Sequence, residues 1–204
     1  MSDVVPPQWL PAGALGLVLL SSVVRALISR AAGVQSYGFG FRPEIQQVAE
    51  RFWKLAVLLV AASALIAWLA PHWEPALGRP AWSYSTPQHW IAGCALIVGM
   101  LIVLAGQHSM GASWRVGVPK DGPGDLVTRG LFRFSRNPVF VGMFAMTLGV
   151  FLWSPTFLSA AAVSLAAAMM AVQVRIEEEA LTAKYGETYH AYVAKTPRWV
   201  WPLK

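Results

Sequence analysis

The chain has 204 residues, 56% of them hydrophobic and only 13% charged, with a mean hydropathy of +0.49. A water-soluble domain of this length carries roughly a quarter charged residues, so the composition excludes one and makes the bilayer the natural solvent. The net charge of +6 is the ordinary basic surplus of membrane loops rather than a nucleic-acid footprint. Cys94 is the single cysteine, which excludes an intramolecular disulfide. His72, His89, His108 and His190 show no metal-ligand spacing, so no metal and no nucleic acid are expected as partners.

Met1 to Pro7 lacks a basic n-region, so a cleaved signal peptide is not expected. Trp9 to Ser29 is the first apolar run, long enough to cross a bilayer. Arg25 lies near its end, where its stem can snorkel to the interface. Residues 30–51 begin as a loop rich in glycine (Gly33, Gly38, Gly40), whose Tyr37 and Phe39 read as loop packing or as a cover over a ligand. The segment from Glu44 has helical spacing and leads into the second span, Phe52 to Ala70, which Pro71 stops. Residues 71–89 form an irregular interfacial loop with four prolines and one basic residue, Arg79. Trp90 to Ala105 is the third span. Gln107 and His108 follow at the membrane edge, as interfacial groups or as a pocket lining.

Residues 109–136 make a turn-rich loop carrying Arg115, Lys120, Arg129, Arg133 and Arg136. They lack the dinucleotide-binding glycine pattern and no strand precedes them, which argues against a Rossmann site. Pro138 to Trp153 is a fourth apolar run, short for a straight crossing, so it spans with local thinning or forms one arm of a shallow hairpin. Thr156 to Val174 is the fifth, with small residues for close packing. The reading is therefore an all-α, polytopic membrane protein of about five transmembrane helices, with a C-terminal helical hairpin and a cytoplasmic tail. It is taken as one domain over residues 1–204: three spans over 9–108, then loop, hairpin and tail over 109–204. Loops 30–54, 109–136 and 175–204 hold four, five and five Lys/Arg, against one in loop 71–89 and none before Trp9. Five crossings put all three basic segments on one side. The positive-inside rule makes that side the cytoplasm and leaves the N-terminus outside.

The hairpin has ionisable groups at both open ends. Arg136 precedes Asn137-Pro138 at one end, and Arg175 is followed by Glu177, Glu178 and Glu179 at the other. Residues three or four apart share a helical face, so at least one carboxylate faces the bundle and Glu179 faces water. The plainer reading is a solvated acidic helix start, favoured by the macrodipole if a helix restarts there.

Arg-Asn-Pro-Val-Phe-Val-Gly (136–142), an apolar hairpin, and Glu-Glu-x-x-Leu-x-x-x-Tyr-Gly-x-x-Tyr (177–189) resemble the isoprenylcysteine carboxyl methyltransferase and phospholipid methyltransferase group of integral membrane methyltransferases. The resemblance runs over roughly residues 107 to 202, about half the chain. Met110-Gly111-x-Ser113-Trp114-Arg115 and Pro197-Arg198-Trp199 look like bacterial members. The resemblance implies S-adenosyl-L-methionine as methyl donor and a lipophilic small-molecule or lipidated acceptor, an isoprenylcysteine-like carboxylate or a lipid amine, reached among membrane lipids. It implies a bacterial inner-membrane protein with the active site facing the cytoplasm. It assigns Leu126, Val127, Phe132, Asn137, Pro138, Val139, Phe140 and Glu177 to the cofactor and Arg175 to the substrate side; Arg136 and Glu178, at the two converging ends of the hairpin, are taken with Arg175 as the catalytic residues. Asn137 stands where the family has histidine, keeping hydrogen bonding without charge. Phe140 stands where it has tyrosine and lacks the hydroxyl. An NADPH-dependent sterol-type reductase and a non-enzymatic membrane scaffold are the alternatives. Donor binding would separate the scaffold from the enzyme, and NADPH binding would favour the reductase.

Overall fold

The computed structural model describes residues 5–34, 37–39, 41, 43–120 and 122–200. Met1 to Val4, Gly40 and Lys204, which enter the sequence reading above, lie outside the described residues. Among the described residues six α-helices follow one another: α1 (Leu10–Ala31), α2 (Pro43–Leu69), α3 (Thr86–Met110), α4 (Pro138–Trp153), α5 (Phe157–Tyr185) and α6 (Glu187–Lys195). Among the described residues there is no strand, only an isolated bridge between Tyr37 and Val116. Helices α1, α2, α3 and α5 are long and apolar enough to cross a membrane, and α4 is a shorter apolar helix. The chain is thus an all-helical, polytopic membrane protein.

Local chemistry sets the helix limits. Pro87 and Pro138 sit in the first turns of α3 and α4, where a missing N–H costs nothing. Helix α5 opens on a reciprocal cap: Thr156 Oγ1 accepts from the Ser159 N–H at 3.2 Å, and Ser159 Oγ accepts from the Thr156 N–H at 2.9 Å. It does not stop at Val174 and restart. It runs unbroken to Tyr185, so the three glutamates lie within a helix rather than at its start.

Helices α3 and α4 form the tightest seam, and glycine makes it. A Cβ on Gly99 would lie 2.7 Å from the Gly142 carbonyl oxygen, and one on Gly142 would lie 2.9 Å from the Val103 nitrogen. The two backbones therefore touch, as small residues allow between helices in lipid. Gly149 meets Leu96, while Gly106 meets Val139, so the helices are antiparallel and in contact along all of α4. At 16 residues α4 is about 24 Å long, and it covers the depth of α3 from Gly106 to Ala92. Around this pair, α5 packs its buried Ala162, Ala166 and Met170 against α2 and α4. Helix α1 is the outermost, burying only Pro11, Ala14 and Val18. It is held by a polar contact: Ser21 Oγ donates to Gln107 Oε1 at 2.8 Å, and Gln107 Nε2 donates to Ser22 Oγ at 3.0 Å.

The 71–89 loop caps the end opposite the basic loops. Glu74, 1% exposed, pairs with Arg79 and accepts from Ser154 Oγ at 2.5 Å. Arg79 Nη2 also donates to the Ser83 and Trp153 carbonyls at 2.8 and 3.2 Å. Gln88 Nε2 donates to the Leu152 carbonyl at 2.7 Å. The turn between α4 and α5 is thereby tied to the cap.

Candidate functional site

A cavity of about 720 Å³, counted to its open mouth, lies at the basic end between the 110–137 loop, the C-terminal part of α5 and α6. One wall is the loop itself, from Ser113 to Val127. Its shape depends on a strap from the first polar segment. The Gly38 N–H donates to the Val116 carbonyl and the Phe41 N–H to the Val118 carbonyl, each at 3.1 Å. Gly117 sits between them at φ +77, and a Cβ there would lie 2.4 Å from the Gly38 oxygen, so only glycine fits. Tyr37 and Phe39 stack edge to face behind this wall, with the Tyr37 hydroxyl on Glu50 at 2.8 Å. They support the cavity and do not line it.

The other wall comes from the tail. Tyr185 Oη donates to the Gly124 carbonyl at 2.7 Å, Lys184 Nζ to the Pro123 carbonyl at 2.7 Å, and Tyr192 Oη to the Phe132 carbonyl at 2.6 Å. The segment after α6 is bound back onto the start of α4. The Arg136 N–H donates to the Pro197 carbonyl at 2.9 Å, and Ser135 Oγ and Asn137 Nδ2 each donate to the Arg198 carbonyl at 3.1 Å.

The charges divide in two. Glu178 receives Arg136 through Nε and Nη2 at 3.1 and 3.0 Å, and Arg198 through Nη2 at 2.7 Å. Arg136 spends a further N–H on the Thr196 carbonyl at 2.6 Å. Bonding to Glu178 raises the Arg198 pKa further, and two guanidiniums against one carboxylate leave a positive surplus. Glu177, one residue earlier, points to a different partner: Gln173 Nε2 donates to its Oε1 at 3.1 Å. Among the described residues Glu177 makes no ion pair. The cavity, which Arg115 and Arg136 also line, therefore holds at Glu177 an acidic side chain without an ion-pair partner among the described residues. Leu126, Val127, Val118 and Phe132 supply apolar surface next to it.

Of the residues singled out in the sequence, the cavity gathers Leu126, Val127, Phe132, Arg136, Asn137, Glu177 and Glu178. It does not include Pro138, Val139, Phe140 or Arg175. Pro138 is the first residue of α4, and Val139 packs on Gly106 of α3. Phe140 stacks edge-on against Trp53 of α2, ring centroids 6.0 Å apart, in an apolar contact where a tyrosine hydroxyl gains nothing. Arg175 is exposed on the outer face of α5. Gln107 is turned to α1, and His108 is exposed. The cavity also takes in Arg115, Tyr189 and Tyr192, and it depends on Gln173 and Arg198. Gln173 could have been found from its i, i+4 relation to Glu177. Arg198, Arg115 and Tyr189 stand in the quoted motifs. Tyr192 had no signal beyond its helical spacing from Tyr189. Burial pushes the Tyr192 phenol up to about 12 and the Tyr189 phenol higher still, the Glu178 charge adding to the latter.

A second, apolar crevice opens sideways among α1, α2, α4 and α5, lined by Trp53, Val57, Met143, Thr147 and Met170. Among the described residues no group of acidic, histidine and cysteine side chains could hold a metal ion. The family model for phospholipid methyltransferases matches residues 87–188, half of the chain, which takes in α3, the cavity loop, the hairpin and the start of α6. No curated protein and no solved structure matches the chain significantly.

Proposed function

The chain belongs to the phospholipid methyltransferase family, and on that premise we propose that it transfers a methyl group from S-adenosylmethionine to a lipophilic acceptor at the cytoplasmic membrane interface. The observation that carries this reading is Glu177: a carboxylate bonded only to an amide, in a cavity with apolar walls, is suited to a ligand that brings its own positive charge. S-adenosylmethionine is such a ligand. Glu177 would hold its ammonium, and Leu126, Val127 and Phe132 would take the adenine against apolar surface. When bound, the donor supplies a methyl group on a sulfonium, which an in-line displacement transfers while sulfur keeps the bonding electron pair as a neutral thioether. The chain's own contribution is orientation and exclusion of water, since this displacement needs no metal. The lateral crevice along Met143 and Met170 supports an acceptor that arrives from the bilayer with its hydrocarbon chain among apolar side chains.

Membranes containing the protein, incubated with methyl-labelled donor and extracted into organic solvent, should carry label into the extract. Chromatography of the labelled species then identifies the acceptor class. Glu177→Gln keeps the shape and removes the charge. Loss of a charge-assisted bond is worth about 1.5–3 kcal/mol, so donor affinity should fall roughly tenfold or more by calorimetry. Failure of well-folded, detergent-solubilised protein to bind the donor would overturn the reading and put the reductase or scaffold ahead.

A further inference from the structure

Tyr189 is 2% exposed and lines the cavity from α6. Its hydroxyl has no well-formed hydrogen-bond partner, and the Arg136 guanidinium close to it can only donate to the phenol oxygen, which leaves the O–H proton unspent. A buried hydroxyl without a partner is costly, and α6 could have carried a phenylalanine there at no loss of packing. Tyr192, one turn on, spends its own hydroxyl on the Phe132 carbonyl. Tyr189 therefore holds the unspent phenol of the pair. It sits beside Arg136 and Glu178, at the end of the cavity where Arg136 and Arg198 outnumber Glu178 and the local charge is positive. Glu177 places its carboxyl group on the neighbouring stretch of the same cavity. Burial keeps the phenol protonated, so it acts as a donor.

Resting on the function proposed above, we propose that the Tyr189 hydroxyl is a ligand-binding group that donates a hydrogen bond to the carboxylate of the methyl donor's amino-acid moiety. The positive surplus of the Arg136, Glu178 and Arg198 cluster favours an anionic group there. Glu177 takes the ammonium of the same moiety. The zwitterion is thus read by a carboxylate on one side and by a neutral phenol backed by guanidinium charge on the other.

The test uses the full chain in detergent, wild type and Tyr189→Phe, titrated calorimetrically with S-adenosylhomocysteine and with 5′-methylthioadenosine. The second probe keeps the adenine, ribose and sulfur but lacks the amino-acid carboxylate. Tyr189→Phe should weaken S-adenosylhomocysteine binding roughly 3- to 10-fold, the range expected for one hydrogen bond. It should leave 5′-methylthioadenosine binding unchanged. The melting temperature of the unliganded variant should equal or exceed the wild-type value, because no well-formed protein hydrogen bond is lost. Unchanged S-adenosylhomocysteine affinity, or an equal loss for both probes, overturns the assignment while the donor-binding reading stands. A lowered melting temperature with both probes weakened makes Tyr189 structural and likewise overturns it. Wild-type protein that binds neither probe overturns both.

Discussion

Asn137 serves two neighbours at once. Its side-chain amide donates to the Arg198 carbonyl, and the residue also faces the cavity at 6% exposure. Hydrogen bonding, not charge, is what the position requires of it. Asn137→Ala removes the donor to the tail and should cost about 0.5–1.5 kcal/mol, while Asn137→His retains an N–H and should lose less. Thermal unfolding in detergent measures both, and a histidine variant as damaged as the alanine one would contradict this account. At this scale the sequence could pick out the acidic pair but not divide it. Glu177 and Glu178 are adjacent, so they point about 100° apart on a helix. One meets Gln173, and the other meets Arg136 and Arg198, which lie 42 and 20 residues away along the chain. Such distant partners are set by tertiary packing, which local spacing does not encode. The same reason hides the place of Phe140, whose ring turns to α2 instead of the cavity.

Among the elements, the contact of α6 and its following segment with the start of α4 rests on Glu178. Arg136 and Glu178 have side chains 9% and 14% exposed, whereas Arg198 is 40% exposed. Removing the shared carboxylate leaves Arg136 buried without a counter-charge, so Glu178→Ala should destabilise by about 3–5 kcal/mol. Arg198→Ala breaks a half-solvated pair and should cost about 1 kcal/mol or less. Limited proteolysis should show residues 187–198 released first in the Glu178 variant, and equal sensitivity of the two variants would refute a hub at Glu178. Element limits were legible where chain punctuation is strong: Pro138 and Ser154-Pro155 bracket α4 over its observed range. They were not legible at the end of α5. Hydropathy reports where apolar residues stop, near Val174. The helix continues because Glu, Ala, Leu and Lys are good helix formers and because Ile176 and Ala180 extend its buried face.

For the whole molecule, the distribution of basic residues predicts which end faces the cytoplasm. The cavity end carries the three Lys/Arg-rich segments. The opposite end carries Arg79, buried and paired with Glu74, so it presents no net charge from that pair to oppose translocation. Reporter fusions in the 71–89 loop should be active outside and a fusion after residue 204 active inside. A cytoplasmic signal from 71–89 would reverse the topology. The seam between α3 and α4 has a mechanical consequence. Two helices in backbone contact, pinned at one end by Glu74 and Arg79 and at the other by the tail, behave as a single stiff beam. Compliance is left to α1, which buries three residues and is fastened by two serines and one glutamine. The lateral crevice has α1 and α2 on one side, and α4 of the beam together with Ala166 and Met170 of α5 on the other. Its α1 side, formed by Leu15, Val18 and Leu19, is therefore the side that gives, and bulky hydrocarbon is admitted by deflecting α1 while the polar cavity, which α1 does not line, keeps its dimensions.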